Sequence, residues 1–178
     1  MSGKVVFITG GARSGKSGLA LASASAMAGR KGFIATATAV DEEMTARIAR
    51  HRADRSGVWE TIEEPLGLAQ ALEGAAGAFD VIVIDCLTVW LSNVIWSGLA
   101  VEDEVEKLLS ACEKVRDSRK VSLYIVSNEV GMGIVPESGL ARKFRDLAGR
   151  LNQKIAAASD EAYLVAAGIP LRLKGKGA

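Results

Sequence analysis

The sequence predicts an α/β fold with a mostly parallel central sheet and a phosphate-binding loop after its first strand. A short apolar strand pattern at 5–9 precedes a glycine-rich loop at 10–17, and an alanine-rich helix pattern follows the loop. A second buried-strand pattern, at 79–85, ends in a carboxylate. Further strand and helix patterns alternate along the chain, which is typical of a parallel sheet flanked by helices.

The glycine-rich loop fits the pattern of glycine, four residues, glycine, lysine and then serine or threonine. It consists of Gly10, Gly11, Ala12, Arg13, Ser14, Gly15, Lys16 and Ser17. Its glycines let successive backbone N–H groups turn toward one phosphate, and the helix N-terminus adds partial positive charge. Lys16 can reach the outer phosphates of a nucleotide, and the Ser17 hydroxyl can hold Mg²⁺. The alternative is a chance glycine-rich turn, which the flanking strand and helix patterns disfavour.

The composition narrows the class of protein. A chain of 178 residues, 49% of them hydrophobic, suits a single nucleotide-binding domain covering 1–178. The formal net charge of +1 provides no general attraction to nucleic acid or to a membrane surface. The longest apolar run, at 87–95, contains two polar residues and is too short to cross a bilayer, so we expect no membrane insertion.

The two cysteines, Cys86 and Cys112, are too few and too far apart for a metal-binding knuckle or a disulfide framework. Both lie in apolar surroundings, which predicts buried thiols in a reducing compartment. The first strand pattern begins close to Met1, which argues against a signal peptide. We therefore expect a cytoplasmic protein.

The remaining elements follow from periodicity and from turn residues. Between the loop and the 79–85 strand, the patterns predict a helix at 17–28, a turn at 29–32, a strand at 33–37, a helix at 41–55, a strand at 58–62 and a helix at 66–72. After it they predict helices at 88–96 and 101–116, a strand at 121–126, a helix at 140–155 and a closing β-hairpin of 163–166 with 171–173. The sequence contains no internal repeat and no linker of the kind that separates domains.

Asp85 ends the most continuous apolar strand pattern of the chain. In phosphate-loop proteins, a carboxylate at this position lies beside the loop and holds Mg²⁺ directly or through water. The alternative is an aspartate that only caps the following turn. Because a strand and a phosphate loop are both predicted, we favour the metal-binding role, shared with Ser17.

A second glycine-rich stretch, at 130–136, follows the strand pattern that ends in Ser127, Asn128 and Glu129. In open α/β sheets, ligands bind at the carboxyl ends of the strands. The stretch is therefore a candidate for binding a second substrate. An ordinary flexible loop is the alternative, and periodicity does not decide between them.

His51 is the only histidine in the chain. Arg47 and Arg55 stand four residues to either side, and cations this close disfavour the imidazolium form. A neutral imidazole can accept a phosphoryl or nucleotidyl group and pass it on. His51 is thus a candidate nucleophile, with a solvated helix residue as the alternative.

These motifs together resemble the bifunctional adenosylcobinamide kinase / adenosylcobinamide-phosphate guanylyltransferase family of cobalamin biosynthesis. The segments that carry the resemblance are 10–17, 34–37, 41–44, Arg47 with Ile48, His51 with Arg52 and Arg55, 59–65, 127–137 and 140–153. They span nearly the whole chain. Many families share the phosphate loop, whereas the segment at 127–137 with the helix after it is far more specific.

The resemblance implies two reactions. A hydroxyl on the aminopropanol arm of adenosylcobinamide takes the γ-phosphoryl group of ATP or GTP. A histidine then attacks the α-phosphorus of GTP, pyrophosphate leaves, and the GMP moves to the cobinamide phosphate to give adenosyl-GDP-cobinamide. By motif match, His51 is the guanylylated residue and Lys16 serves the phosphate loop.

The resemblance also implies the other site residues and the assembly. Beyond the phosphate loop, the positions that match nucleotide contacts are Ala35, Thr36, Ala37, Arg52, Ala53, Asp54, Arg55, Glu63 and Asp85. Family members have a sheet similar to that of recombinase-like phosphate-loop ATPases, and they assemble as homotrimers.

Three other functions compete with this interpretation. A simple metabolite kinase would use the phosphate loop and Asp85, with His51 only structural. A GTP-dependent switch protein needs an Asn-Lys-x-Asp motif after a strand, but the corresponding strand here ends in 127–129. A nucleic-acid motor is disfavoured by the +1 charge and by an aromatic content of 5%.

Overall fold

The structure is a computed structural model that describes residues 3–38 and 57–175. Its strands are β1 (Val5–Gly10), β2 (Lys31–Ala35), β3 (Trp59–Glu63), β4 (Val81–Asp85), β5 (Ser122–Asn128), β6 (Glu161–Ala166) and β7 (Ile169–Lys174). Its helices are α1 (Lys16–Ser25), α2 (Leu68–Ala78), α3 (Leu87–Trp96), α4 (Val101–Ser118) and α5 (Gly139–Ala158). The predicted helix at 41–55 lies outside the described residues.

The seven strands form one sheet in the order β3-β2-β4-β5-β1-β6-β7. Every neighbouring pair is parallel except β6 and β7, which form an antiparallel hairpin. The predicted α/β fold with a mostly parallel sheet and a closing hairpin is therefore confirmed. Because the strands are parallel, β1, β2, β3, β4 and β5 all end at one edge, which we call the carboxyl edge.

The core lies on both faces of the sheet, because successive side chains of a strand point to opposite sides. Along β1, Val5 and Phe7 pack with helices α2, α3, α4 and α5, whereas Val6 and Ile8 pack with α1. Such double-sided burial explains why the strands are continuous apolar runs in the sequence. Each fully buried Leu or Ile contributes roughly 1.5–3 kcal/mol relative to an exposed one.

The strand β2 begins and ends two residues before the predicted 33–37. Lys31 and Gly32 already pair with both neighbouring strands. A Cβ on Gly32 would lie 2.6 Å from a ring carbon of Phe79, so this glycine serves close packing and not a turn. Thr36 leaves the strand because its hydroxyl binds the backbone of Cys86.

The helix α2 also differs from its prediction, which placed it at 66–72. The Glu64 carboxylate accepts hydrogen bonds from the backbone N–H groups of Leu66 and Gly67 at 2.9 and 2.8 Å. These bonds hold both residues in a turn before the helix. The helix then continues to Ala78 through small residues that carry little apolar periodicity.

Both cysteines are buried, as the sequence predicts, at 8% exposure for Cys86 and 1% for Cys112. Burial raises the pKa of the Cys112 thiol to about 12. Across 3–38 and 57–175, none of the helices has the length and apolar character needed to traverse a bilayer.

Candidate functional site at the carboxyl edge

The phosphate loop curls around the N-terminus of α1. It begins at Gly10, the last residue of β1, and ends at Gly15, the N-cap of α1 with φ of 95°. Arg13 also has a positive φ, of 56°, and the Ser14 N–H donates to the Gly11 carbonyl at 3.3 Å. Left-handed residues of this kind turn successive N–H groups inward, which makes an anion-binding concavity at the positive end of a helix.

The turn between β6 and β7 supports this loop from one side. The Gly168 N–H donates to the Ser14 carbonyl at 2.9 Å. A Cβ on Gly10 would lie 2.4 Å from the Val165 carbonyl oxygen, and one on Gly15 would lie 3.2 Å from the Gly168 Cα. At Gly10 the closing hairpin leaves no room for a side chain, and at Gly15 the positive φ and the nearby hairpin both favour glycine.

Lys16 and Ser17 occupy the first turn of α1. Lys16 is 8% exposed, and its Nζ donates to the Gly11 carbonyl at 3.0 Å. The ammonium therefore lies folded over the loop, where phosphate oxygens can compete for its protons. Ser17 is half-buried. Within the described residues, the buried Ser14 Oγ has no hydrogen-bond partner, so the loop retains a donor for an anion.

Asp85 ends β4, which is separated from β1 by β5 alone. Two strand spacings place it about 10 Å from the strand that carries the loop. Its side chain is half-buried. The described residues contain no cluster of three or more His, Cys, Asp or Glu side chains that would form a complete metal cage. A hydroxyl and a carboxylate nevertheless fit Mg²⁺, which keeps several waters and takes its other ligands from phosphates.

Two of the remaining sequence-predicted positions, Ala35 and Glu63, end neighbouring strands at the level of Asp85. Ala35 pairs with Asp85 on one side and with Glu63 on the other. From β1, the ends of β2 and β3 are about 14 and 19 Å away along the edge. Glu63 is exposed, and Ala35 and Ala37 are half-buried.

Thr36 has a structural role in this row. It is fully buried, and its Oγ1 donates to the Cys86 carbonyl at 2.8 Å while accepting from the Cys86 N–H at 2.9 Å. Its own carbonyl accepts from the Asn93 Nδ2 at 2.8 Å. The threonine thereby joins the ends of β2 and β4 and connects them to α3.

The other predicted site residues, His51, Arg52, Ala53, Asp54 and Arg55, lie outside the described residues. The described chain on either side ends at Thr38, three residues beyond β2, and resumes at Gly57, two residues before β3. The structure therefore gives no position for His51 relative to the phosphate loop.

Three residues that are not among the predicted site residues, Thr88, Asn128 and Asn152, meet at the end of β5. The Asn128 N–H donates to the Thr88 Oγ1 at 2.6 Å, and the Asn128 carbonyl accepts from the Asn152 Nδ2 at 3.0 Å. Only the strand pattern at 121–126 and the polar residues after it pointed to this place. Thr88 and Asn152 belong to helices distant in sequence, and no local signal connects them to the site.

The second glycine-rich stretch starts from this point. The Glu129 N–H donates to the Gly10 carbonyl at 3.0 Å, which links it to the phosphate loop. The Glu129 carboxylate accepts from the backbone N–H groups of Gly131 and Met132 at 2.7 and 3.0 Å. Met132 and Ile134 are 77% and 98% exposed. The stretch therefore presents apolar side chains to solvent next to the phosphate loop.

Comparisons with known proteins agree with this geometry. A sequence model of the family described as cobinamide kinase / cobinamide phosphate guanyltransferase matches residues 6–173. The Escherichia coli bifunctional adenosylcobalamin biosynthesis protein CobU is 38% identical over 188 residues, covering 96% of this chain and 99% of that protein. The Pseudomonas aeruginosa bifunctional adenosylcobalamin biosynthesis protein CobP is 43% identical over 173 residues, covering 95% and 96%.

Solved structures show the fold. The RadB recombinase superposes with a TM-score of 0.53 at 11% sequence identity, covering 92% of this chain and 74% of that one. A prototypical ATPase from the type III secretion system of pathogenic bacteria superposes with a TM-score of 0.55 at 13% identity, covering 96% and 57%. The recombinase-like sheet expected from the sequence is thus confirmed.

Proposed function

This chain belongs to the cobinamide kinase / cobinamide phosphate guanyltransferase family, and on that premise we propose that it phosphorylates adenosylcobinamide and then guanylylates the product. ATP or GTP supplies the phosphoryl group, and GTP supplies the GMP. The observation that carries the proposal is a phosphate loop with a buried lysine in a chain that matches this bifunctional family from 6 to 173.

In the kinase step, the loop amides and Lys16 hold the outer phosphates of the nucleotide. The substrate hydroxyl oxygen bonds to the γ-phosphorus as the bond to the bridging oxygen breaks, and the hydroxyl proton passes to solvent. Negative charge grows on the bridging oxygen, where the Lys16 ammonium and the helix N-terminus stabilise it. Ser17 and Asp85 would hold Mg²⁺, which when bound supplies positive charge to the phosphate oxygens.

In the guanylyl step, the neutral imidazole of His51 attacks the α-phosphorus of GTP, and pyrophosphate leaves. The phosphoramidate then yields GMP to the cobinamide phosphate, so that one difficult transfer becomes two easier ones. We assign Arg52, Ala53, Asp54 and Arg55 to nucleotide contacts beside His51. The row of Ala35, Glu63 and Asp85 along the carboxyl edge supports a nucleotide lying across the strand ends, with Thr36 and Ala37 next to it.

Analysis of the two products tests this function. Purified protein is incubated with adenosylcobinamide, Mg²⁺ and ATP, and the corrinoids are identified by mass spectrometry before and after GTP is added. We expect cobinamide phosphate first and adenosyl-GDP-cobinamide only after GTP is added. A protein that makes the phosphate but never the GDP derivative is a simple kinase, and one that makes neither contradicts the proposal.

We further propose a homotrimer, which two separate apolar surfaces support. The first, which we call the front patch, is the set of exposed apolar side chains at the end of α3, in the glycine-rich stretch and at the start of α5: Trp96, Met132, Ile134, Val135 and Leu140, all between 56% and 98% exposed. It adjoins a groove of about 470 Å³ between α3 and α5. The second is the edge strand β7, with Ile169, Leu171 and Leu173 at 59–71% exposure. A closed ring needs two different surfaces on each subunit that fit each other, and the described residues offer two candidates.

The same proposal covers domain organisation and location. One sheet takes strands from Val5 to Lys174, which supports a single domain over 1–178 that carries both reactions. The cysteines are both unpaired thiols, and ATP and GTP are intracellular nucleotides, which supports the cytoplasm.

A further inference from the structure

The end of β5 lies between the phosphate loop and Asp85. β5 is the strand between β1 and β4, and the register sets Asn128 opposite Gly10, the first residue of the loop. On the other side, Asp85 pairs with Val126. Asn128 therefore stands two residues beyond the level of Asp85, on the strand next to the one that carries the phosphate loop.

The backbone of Asn128 is fixed from three directions. Its N–H is bound by the hydroxyl of Thr88 on α3, and its carbonyl is bound by the amide of Asn152 on α5. The next N–H, of Glu129, is bound by the carbonyl of Gly10. Residues held in this way place a side chain with little freedom, which is a property of preorganised binding groups.

The side-chain amide of Asn128 has capacity for stronger partners. Its Nδ2 donates to the Cys86 Sγ at 3.9 Å, and a thiol is a weak acceptor. Cys86 directly follows Asp85 in the chain, so the Asn128 amide lies beside the end of the strand that carries the predicted metal ligand.

From this placement we propose that the Asn128 side-chain amide binds the terminal phosphate of the nucleotide, with Nδ2 donating to a γ-phosphate oxygen. The inference rests on the proposed kinase function. During transfer, the hydroxyl oxygen of the acceptor bonds to the γ-phosphorus, the bond to the β–γ bridging oxygen breaks, and the nucleoside diphosphate leaves with the electron pair. The amide holds the moving phosphoryl group between the loop and the acceptor.

Asn128 also adjoins the glycine-rich stretch at 130–136. Because Glu129 begins the exposed glycine-rich stretch, the residue that touches the γ-phosphate is directly continuous with the segment that is the candidate for binding the acceptor. Loss of the γ-phosphate contact would therefore lower the rate of transfer as well as the affinity for the triphosphate.

The test compares nucleotides that differ by the γ-phosphate. The dissociation constants of ADP and of a non-hydrolysable ATP analogue are measured by calorimetry on the full chain, for wild type, Asn128→Asp and Asn128→Ser. Asn128→Asp is isosteric and keeps all three backbone hydrogen bonds. Asn128→Ser removes the amide without adding a charge, so the proposal can still be tested if the new carboxylate of Asn128→Asp prevents folding. Gln153→Glu, an exposed residue on α5, makes the same amide-to-carboxylate change away from the site.

We expect both Asn128 variants to bind ADP like wild type. They should bind the ATP analogue at least about tenfold more weakly, because the loss of one hydrogen bond to a charged group has an effect of this size. Kinase kcat should fall about 10²-fold. Gln153→Glu should leave the ratio of the two dissociation constants unchanged. An equal loss for both nucleotides, or a loss for neither, would overturn the proposal. Because binding needs no corrinoid, this result is separate from whether wild type phosphorylates cobinamide.

Discussion

Lys16 is a buried lysine at the end of the phosphate loop. A lysine side chain is seldom buried, yet this one is 8% exposed and hydrogen-bonded to the carbonyl of Gly11 in its own loop. In the proposed kinase step, this ammonium would contact the outer phosphates, where negative charge develops during transfer.

Removal of this charge should therefore reduce catalysis far more than stability. For Lys16→Ala we expect kinase kcat to fall about 10²–10³-fold, measured as cobinamide phosphate formed per unit time. Lys114→Ala removes a lysine from an exposed pair with Glu73 and should leave kcat at the wild-type value. A Lys16→Ala protein with unchanged turnover would show that the loop lysine does not serve the transfer.

The buried thiol of Cys112 should make the stability of the protein depend on pH. Its folded pKa is about 12, above the ordinary value of 9.0, because its thiol is buried in the core. The raised pKa means that the stabilising contribution of the thiol is complete below pH 9 and is lost as pH rises toward 12.

Urea unfolding at pH 8, 9.5 and 10.5 measures this contribution. We expect the unfolding free energy of wild type to fall more steeply above pH 9 than that of Cys112→Ala, by up to about 1.4 kcal/mol per pH unit. The difference between the two proteins removes the titration of lysine and tyrosine, which both share. Parallel curves would mean that the thiol is not buried in solution.

At the scale of elements, the hairpin of β6 and β7 shapes the phosphate loop. Its turn donates to the Ser14 carbonyl, and its Val165 carbonyl fills the space where a side chain on Gly10 would lie. The loop is thus held by two elements, the helix α1 after it and a hairpin about 150 residues further along the chain.

Two glycine substitutions, one beside the hairpin and one control in α2, test whether the hairpin packs against the phosphate loop. Gly10→Ala should destabilise the protein by about 1–3 kcal/mol, because its Cβ would stand 2.4 Å from the Val165 carbonyl oxygen. Gly74→Ala, inside α2 with nothing within 4 Å of the new Cβ, should instead stabilise it by about 0.5–1 kcal/mol. Denaturant midpoints give both values, and equal effects of the two substitutions would refute the packing role of the hairpin.

Local patterns predicted the elements well, and contacts between distant elements account for what they missed. Buried strands and the phosphate loop are encoded in consecutive residues, so 5–9 and 10–17 were correctly assigned. The start of β2 depends on Phe79 packing over Gly32, and the start of α2 depends on the Glu64 carboxylate. Neither contact leaves a periodic signal.

The candidate site likewise contains residues that local sequence predicts and residues that it does not. Lys16 and Asp85 could be predicted as site residues because a motif and a strand end are local features. The cluster of Thr88, Asn128 and Asn152 could not be identified, because it exists only once the order of the sheet brings β5 between β4 and β1. A single sequence contains no information on strand order beyond preferences of topology.

At the scale of the whole molecule, the front patch and β7 should meet in the proposed trimer. A charge in the middle of an apolar contact costs several kcal/mol, so Trp96→Glu should convert the trimer to monomers in sedimentation experiments. Val58→Glu introduces the same charge at an exposed valine outside both surfaces and should leave the trimer intact. A wild-type monomer, or a trimeric Trp96→Glu variant, would remove the front patch from the interface.

In the proposed function, one phosphate loop serves both a kinase step and a histidine that carries GMP. Labelling with GTP that is radioactive at either the α- or the γ-phosphate tests it most directly, followed by denaturation and counting of protein-bound label. We expect covalent label from the α-position only, absent in His51→Ala, while His51→Ala still phosphorylates adenosylcobinamide. Label that persists in His51→Ala, or a wild-type protein that never takes up label, would contradict it.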